Sequence, residues 1–281
     1  MKIAATVILY YPEKNTIQNI GSYSPFVDTV YVIDNSENPS KEFQQELTNI
    51  SNAVYFHDNE NKGIAKRLND ICEKSRAEGF DWILTMDQDS SFSDEVFEKY
   101  LEHFKKYPKE EVAVFAVNYL PKMFPVVHVP VEVLSTITSG SLVNLSLNKV
   151  IGKYNEDLFI DLVDAEYCYR AVGLGYKIIA FRDIILNHSI GYIKYGRSLK
   201  NFKLTPRVLH SPIRIYYIIR NSLYMLYKFP NLPQQARGEI KKTMSLLKNN
   251  ILYHKERSKV IKSVIQGYVD FKRNRMGKHV S

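Results

Sequence analysis

Cysteine is scarce: Cys72 and Cys168 are the only two in 281 residues, far apart and in no ligand-like spacing. That pattern speaks against a disulfide-stapled scaffold and a structural zinc site, and it fits a reducing compartment. Long apolar runs are missing too, since none approaches the roughly 20 residues that cross a bilayer. No apolar leader core follows the start; Lys2 runs straight into an alternating β-like string, so a cytoplasmic location is expected. Internal repeats and low-complexity segments are absent.

Acidic residues are nearly missing from the last third. Residues 193–281 carry 20 Lys and Arg against 3 Asp and Glu, a net +17. Residues 1–192 carry 18 against 27, a net −9, and together they give the +8 of the whole chain. An acidic body with a strongly basic tail points to an anionic surface or polymer as a partner. The length suffices to bury a full core.

What is present is an alternation of strand and helix patterns. Strands are expected at Ile3–Tyr10, Thr29–Ile33, Ala53–His57 and Trp82–Met86. Helices are expected between and after them, at Asn15–Ser22, Lys41–Ile50, Gly63–Ala77 and Asp94–Tyr107, the last with Ser93 as N-cap. Such alternation implies an α/β fold with parallel strands and crossover helices, with ligands at the carboxyl ends of the strands. The polar residues at those ends are Asp34, Asn61-Lys62-Gly63 and Asp87-Gln88-Asp89. Beyond residue 110 strands are expected at Val112–Val117, Val126–Leu134 and Lys177–Phe181, a helix at Asp161–Gly173, and a helical tail from Leu209. The best boundary lies near residues 193–207.

Each polar cluster has a chemistry and a plainer explanation. In "WILTMDQDSSF", two carboxylates one residue apart at a strand end can hold Mg²⁺ or Mn²⁺, which also relieves their repulsion. Equally, Asp89 or Ser90 can cap the next helix. In "NKGIAKRLN", Gly63 at a helix start lets backbone amides approach a phosphate, with Lys62, Lys66 and Arg67 adding charge. Taken alone it is also an ordinary capped helix with a basic face. Asp34-Asn35-Ser36 can contact a base or ribose, or simply form a turn. Asp157, Asp161, Asp164 and Glu166 cluster in "EDLFIDLVDAEYCYRA", where a helix would place Asp161 and Asp164 on one face. One of them can act as general base, or the acids can compensate the helix dipole. His188 can complete a metal shell or be structural.

The order of these pieces resembles the family 2 inverting glycosyltransferases of the GT-A fold, nearest to their bacterial rhamnosyltransferase branch. The resemblance spans about residues 3–221. It implies a GT-A catalytic domain over residues 1–200, with a nucleotide-binding half to about 110 and an acceptor half beyond, followed by a basic helical region over 201–281. It implies that Asp34 contacts the base, that Asn61, Lys62 and Gly63 lie by the nucleotide, and that Asp87 lies near ribose or sugar. Asp89 would bind the Mg²⁺ or Mn²⁺ that bridges the diphosphate, with Asp87 and His188 beside it. Ser139 and Gly140 in "TSGSLV" would line the sugar pocket, and Tyr10, Asn69 and Gln88 complete the expected donor set. Asp164 matches the catalytic base; the Glu that usually precedes it is Val163 here, and Asp161 is the fallback. "YYIIRN" (Tyr216–Asn221) resembles a segment common after the catalytic domain.

The implied partners are a nucleotide sugar, dTDP-rhamnose or a UDP-sugar, and a glycan or polyprenyl-diphosphate-linked acceptor. The basic tail adds an expected peripheral contact with an anionic membrane at its cytoplasmic face. Two other classes compete. "DQDSS" fits the Asp-x-Asp-x-Ser/Thr string of haloacid-dehalogenase-type phosphatases, although theirs opens the fold and here three strand–helix units precede it. A nucleic-acid-binding role for the tail lacks a recognisable motif.

Overall fold

A computed structural model describes residues 1–188, 192–197, 203–232 and 234–279. The chain divides into two compact units, one of Met1–Glu156 with Val163–Ser189 and one of Asp157–Leu162 with Ile190–Ser281. The short segment 157–162 belonging to the second unit has no counterpart in the sequence-based boundary near 193–207.

The first unit runs β1 (Ile3–Leu9), α1 (Thr16–Gly21), β2 (Thr29–Asp34), α2 (Lys41–Leu47), β3 (Ala53–His57), α3 (Gly63–Ala77), β4 (Trp82–Asp87) and α4 (Asp94–Lys106). It continues β5 (Val112–Asn118), β6 (Val131–Val133), β7 (Ser141–Asn144), α5 (Leu145–Ile151), α6 (Val163–Gly173) and β8 (Lys177–Ile185). One eight-stranded sheet has the order β3-β2-β1-β4-β7-β5-β8-β6. Strands β1 to β4 are mutually parallel where they pair, and β7 enters antiparallel between β4 and β5. The register sets Leu9 beside Asp34 and Ile8 beside Asp87, so both acids finish at one carboxyl edge.

The sequence explains the layers. β1, β4 and β5 are almost wholly buried, as parallel strands covered on both faces must be. On α4, Phe97, Tyr100, Leu101 and Phe104 recur at helical spacing and are all buried. They meet Trp82, Phe115 and Phe181, the last two stacked at 5.5 Å. Burying each such ring stabilises the fold by roughly 1.5–3 kcal/mol. Asp183 on β8 fastens α4 from the side, taking an ion pair from Lys99 at 2.8 Å and a hydrogen bond from His103 at 3.0 Å. Burial works to raise its pKa, but the hydrogen bonds from Lys99 and His103 outweigh it and hold the carboxyl at about 2.

β7 and α5 are the elements that pattern reading passes over. The strand has four residues and follows the turn 138–140 directly. Gly140 makes that turn possible: its φ is +76°, and a Cβ there would lie 2.5 Å from Val117 Cγ2. Its N–H donates to the Thr85 carbonyl at 2.9 Å, and the Tyr100 hydroxyl donates to its carbonyl at 3.1 Å.

The helix expected from Asp161 begins instead at Val163. Phe159, Asp161 and Leu162 have φ of 64°, 65° and 64°, a left-handed run that no α-helix contains. Asp161 is therefore not one turn before Asp164 on a shared face. The strand expected over Val126–Leu134 shortens to Val131–Val133.

The second unit contains a hairpin of β9 (Tyr192–Arg197) and β10 (Leu204–Leu209), then α7 (Pro212–Lys228), α8 (Gln234–Tyr253) and α9 (Arg257–Lys272). The hairpin falls where the sequence suggests a linker. Helices α7 and α9 approach closely at Gly267, where a Cβ would lie 2.8 Å from the Tyr216 carbonyl oxygen. Arg220 on α7 is fully buried. Its guanidinium donates to the carbonyls of Gly277 (2.7 Å), Asp157 (3.0 Å) and Leu158 (3.1 Å) and to Asn221 Oδ1 (3.1 Å). Asn221 Nδ2 in turn donates to the carbonyls of Leu158, Ile160 and Asp161. Burying a cation is costly unless its donors are met, and here carbonyls of a left-handed loop meet them. That is the structural use of the "IRN" in "YYIIRN".

Two expectations can be checked by melting. Gly140→Ala and Gly267→Ala should each destabilise by about 1–3 kcal/mol, through forced displacement of Val117 and of the α7 backbone respectively. Thermal melts equal to wild type would contradict both close approaches. Asp183→Asn should cost about 1.5–3 kcal/mol at neutral pH. A depressed carboxylate contributes fully above its unfolded value near 3.9 and loses that contribution as pH falls towards the folded value. In urea melts the deficit of the variant should therefore close between about pH 4 and pH 2; a deficit constant over that window would contradict the ion pair.

Candidate active site

At the carboxyl edge of the sheet, β4 ends on Asp87 and the chain continues through Gln88, Asp89 and Ser90. Helix α4 starts only at Asp94 with Ser93 in the N-cap position, so Asp89 and Ser90 do not cap it. Instead Asp87, Asp89 and His188 converge, one donor atom of each lying within 4.8 Å of the others. His188 Nδ1 is 3.5 Å from Asp89 Oδ1 and 2.8 Å from Ser90 Oγ. The Ser90 hydroxyl thus fixes the imidazole ring beside Asp89 through Nδ1, a hydrogen bond of the kind that orients metal-ligating histidines. Asp89 is half exposed, whereas His188 is mostly covered. Two carboxylate oxygens and one imidazole nitrogen form a donor set suited to Mg²⁺ or Mn²⁺.

The turn 138–140 joins this cluster to the expected base. The Asp87 N–H donates to Ser139 Oγ at 3.1 Å. One residue earlier, the Thr138 N–H donates to Asp164 Oδ2 at 3.0 Å. The other carboxylate oxygen of Asp164 accepts from the Ala165 N–H at 2.8 Å. Asp164 thus sits in the first turn of α6 with its carboxylate oriented by two backbone donors. It lines a small cleft with Thr85, Thr136, Thr138, Tyr154 and Cys168. Within the same helix turn, buried Glu166 is committed to Arg170 by hydrogen bonds of 2.8–3.0 Å. Asp161, the fallback base, accepts from Arg214 Nε and Nη2 at 3.2 and 3.1 Å and belongs to the second unit. Of the four acids read from sequence, Asp164 is thus oriented by backbone donors, Glu166 and Asp161 are ion-paired, and Asp157 lies in the second unit with its carbonyl on Arg220.

Several expected donor-binding residues turn out to build the edge from within. Asp34 is fully buried, accepting from the Tyr55 hydroxyl at 2.8 Å and the Ser36 N–H at 2.9 Å. Ser36 Oγ then accepts from the Tyr11 N–H at 2.7 Å. Gln88 accepts from the Tyr10 N–H at 2.8 Å and donates to its carbonyl at 3.3 Å, so its amide is spent on holding that loop. The Tyr10 ring itself is half exposed at the edge, and its hydroxyl pKa is raised by burial and by Glu37. Asn69 lies elsewhere: its amide bonds both backbone groups of Tyr154 and the Glu156 carboxylate, and it is buried.

The start of α3 is likewise a scaffold. The N–H groups of Lys62 and Gly63, expected to meet phosphate, donate to Asn35 Oδ1 (2.9 Å) and Asn61 Oδ1 (3.1 Å). Lys62 and Arg67 both pair with Asp58, and the hydrogen bonds from Arg67 above all hold that carboxyl far below the usual range. Asn35, read from sequence only as part of the Asp34-Asn35-Ser36 triplet, is the hub here. It donates to Asn61 at 2.9 Å and accepts from Arg67 Nε at 2.9 Å besides the Lys62 N–H. Its position after Asp34 in "IDNS" was the available signal. Thr138 and Ser90 were also missed as partners of Asp164 and His188, because their roles depend on neighbours far away in the chain.

Comparison with known proteins meets this geometry. Residues 14–139 match the family described as Glycosyl transferase family 2. The chain is 30% identical over 245 residues to the dTDP-rhamnosyl transferase RfbF of Shigella flexneri, covering 80% of each. Among solved structures it superposes on GalNAc-T7, determined with UDP, GalNAc and Mn²⁺, at a TM-score of 0.60 and 9% identity, over 90% of this chain and 58% of that one. It also superposes on Staphylococcus aureus TarS at 0.52 and 15% identity, over 96% of this chain and 55% of that one. The chain spans little more than half the length of these two structures, which bear on fold alone. That fold is GT-A, an α/β mixed sheet flanked by helices. The DxD follows the fourth strand instead of opening the sheet, which removes the phosphatase alternative. The chain belongs to glycosyltransferase family 2 and is a glycosyltransferase.

Proposed function

We propose that this enzyme is a metal-dependent inverting transferase that moves rhamnose from dTDP-rhamnose to a glycan or polyprenyl-diphosphate-linked acceptor. The product belongs to a bacterial surface polysaccharide, and the enzyme works at the cytoplasmic face of the membrane. The observation that carries the reading is the turn 138–140, which hydrogen-bonds Asp87 on one side and Asp164 on the other. One short segment thereby links a candidate metal cluster to a carboxylate oriented as a base. The 30% identity to a dTDP-rhamnosyl transferase supports the choice of donor.

Asp87, Asp89 and His188 would hold Mg²⁺ or Mn²⁺, with Ser90 orienting the imidazole. When bound, the cation neutralises charge that builds on the departing nucleoside diphosphate. The protein's own part is positional and acid–base. Asp164 takes the proton of the acceptor hydroxyl, and that oxygen attacks the anomeric carbon from the face opposite the nucleotide. The C–O bond to the diphosphate breaks, and the configuration inverts. The Thr138 N–H keeps the carboxylate aimed throughout. Tyr10, half exposed at the strand edge, is the side chain placed to cover the base or ribose. Asp34, Asn61, Lys62, Gly63 and Gln88 shape that edge, while Ser139 and Gly140 form the wall beside the sugar.

Two variants test the assignment. Asp164→Asn should keep nucleotide affinity and lower transfer by roughly 10²–10⁴-fold. A wild-type rate would remove Asp164 as base, and the search would move to other carboxylates. Asp89→Ala should lose the stimulation by Mg²⁺ or Mn²⁺ while melting like wild type, because Asp89 is half exposed. Metal stimulation that survives in Asp89→Ala would place the cation elsewhere. Proton NMR of the product should show an anomeric configuration opposite to that of the donor; retention would contradict a single displacement with Asp164 as base.

A further inference from the structure

Helix α9 carries two different faces. Val260 and Gly267 are buried, with Val260 clustered with Ile215 and Ile218 and Gly267 set against the α7 backbone at Tyr216. On an adjoining face Ile261, Ile265 and Tyr268 recur at i, i+4 and i+7 and are 44%, 58% and 51% exposed. They form one continuous stripe along the helix. Scattered apolar residues on a surface need no explanation, but an aligned stripe does.

The charges around the stripe are of one sign. Arg257, Lys259, Lys262, Lys272, Arg273 and Arg275 are all exposed on or next to α9. The one acid inside the helix, Asp270, is buried, accepts from the Tyr216 hydroxyl at 3.0 Å and from Gln266 at 3.0 Å, and lies 3.8 Å from Arg275. Glu256, just before the helix, is paired with Lys259. Lys272 lies 5.9 Å from the Tyr268 ring centroid, at the end of the stripe.

We propose that this face of α9 docks on an anionic lipid bilayer, with Ile261, Ile265 and Tyr268 inserted at the headgroup boundary and the cations on lipid phosphates. The combination selects the partner. Pairing of this face with the same face of a second copy would bring like charges together on residues of a tail carrying +17. A nucleic acid would satisfy the cations but leave the two isoleucines with nothing apolar to contact. A neutral apolar groove would satisfy the isoleucines and leave the cations unmatched. Only an anionic membrane surface offers both an apolar layer and a plane of negative charge. Among the described residues no helix is long and apolar enough to cross a membrane, so the contact is one of lying on the surface. As the place where a lipid-linked acceptor is met, this surface rests on the proposed function; as a membrane contact it stands separately.

The test is sedimentation of the full chain with vesicles, without nucleotide or acceptor. One set is phosphatidylcholine alone and the other is phosphatidylcholine and phosphatidylglycerol in equal parts. Wild type should sediment with the anionic vesicles and stay in solution with the neutral ones. The charge-neutral double variant Ile261→Ser, Ile265→Ser should bind anionic vesicles at least about tenfold more weakly. Lys262→Gln with Lys272→Gln should weaken binding and flatten its dependence on salt. All three proteins should bind dTDP equally in vesicle-free buffer, which shows that the fold is intact. Failure of wild type to bind anionic vesicles overturns the proposal, as does wild-type affinity in the isoleucine variant. A dimer of wild type that becomes monomeric in the isoleucine variant, seen by equilibrium sedimentation, also overturns it in favour of self-association. Loss of dTDP binding by all three, with vesicle binding kept, would instead sink the donor assignment and leave this surface standing.

Discussion

The turn at Thr138, Ser139 and Gly140 is the point on which the active edge depends. Its three residues face three ways. Thr138 reaches Asp164, Ser139 reaches the backbone of Asp87, and Gly140 fits under Val117 where no side chain has room. A strand end and a helix start that are distant in sequence are thereby held by neighbouring residues. The spacing between the Asp87 backbone and the Asp164 carboxylate, the candidate metal-holding and basic positions, is thereby tied to two consecutive residues of one turn. Catalytic groups need placement of this kind, since small errors in position cost large factors in rate.

Around that turn the charges divide into those paired within the protein and a cluster that could hold a cation. Asp34 is buried and hydrogen-bonded, and Lys62 and Arg67 are spent on Asp58. Glu166 is spent on Arg170 and Asp161 on Arg214. What stays together at the edge is Asp87, Asp89 and His188, a set whose mutual repulsion a divalent cation would relieve. The ion pairs do more than stabilise. They keep Lys62, Arg67 and Arg170 committed to Asp58 and Glu166.

Much of this was legible in the residue order. The strands β1 to β4 and the helices α3 and α4 stand within a residue or two of where periodicity puts them, because each is a long, regular pattern serving a buried sheet. Asp87, Asp89 and His188 were named together, and the structure does bring them together. Local patterns misled where tertiary contacts decide. Asn69 looks like part of a basic helix start but ties down Tyr154. Gly63 looks like an opening for phosphate, but its N–H donates to the Asn61 side chain, as the Lys62 N–H does to that of Asn35. Asp161 reads as the first acid of a helix, yet three left-handed residues delay that helix, held by Arg220 and Asn221 some sixty residues later. No window of sequence contains both ends of such a bond. The short strand β7 and the hairpin β9–β10 were missed for the same reason, being defined by partners more than by their own periodicity.

The central claim is that Asp87, Asp89 and His188 bind a nucleoside diphosphate through a divalent cation at the edge organised by residues 138–140. Calorimetric titration of the purified chain with dTDP and with UDP, each with and without Mg²⁺ or Mn²⁺, tests it most directly. The account predicts binding that requires the metal and favours dTDP. A preference for UDP would keep the site and change the donor. Metal-independent binding, or none to either nucleotide by a folded protein, would contradict the claim.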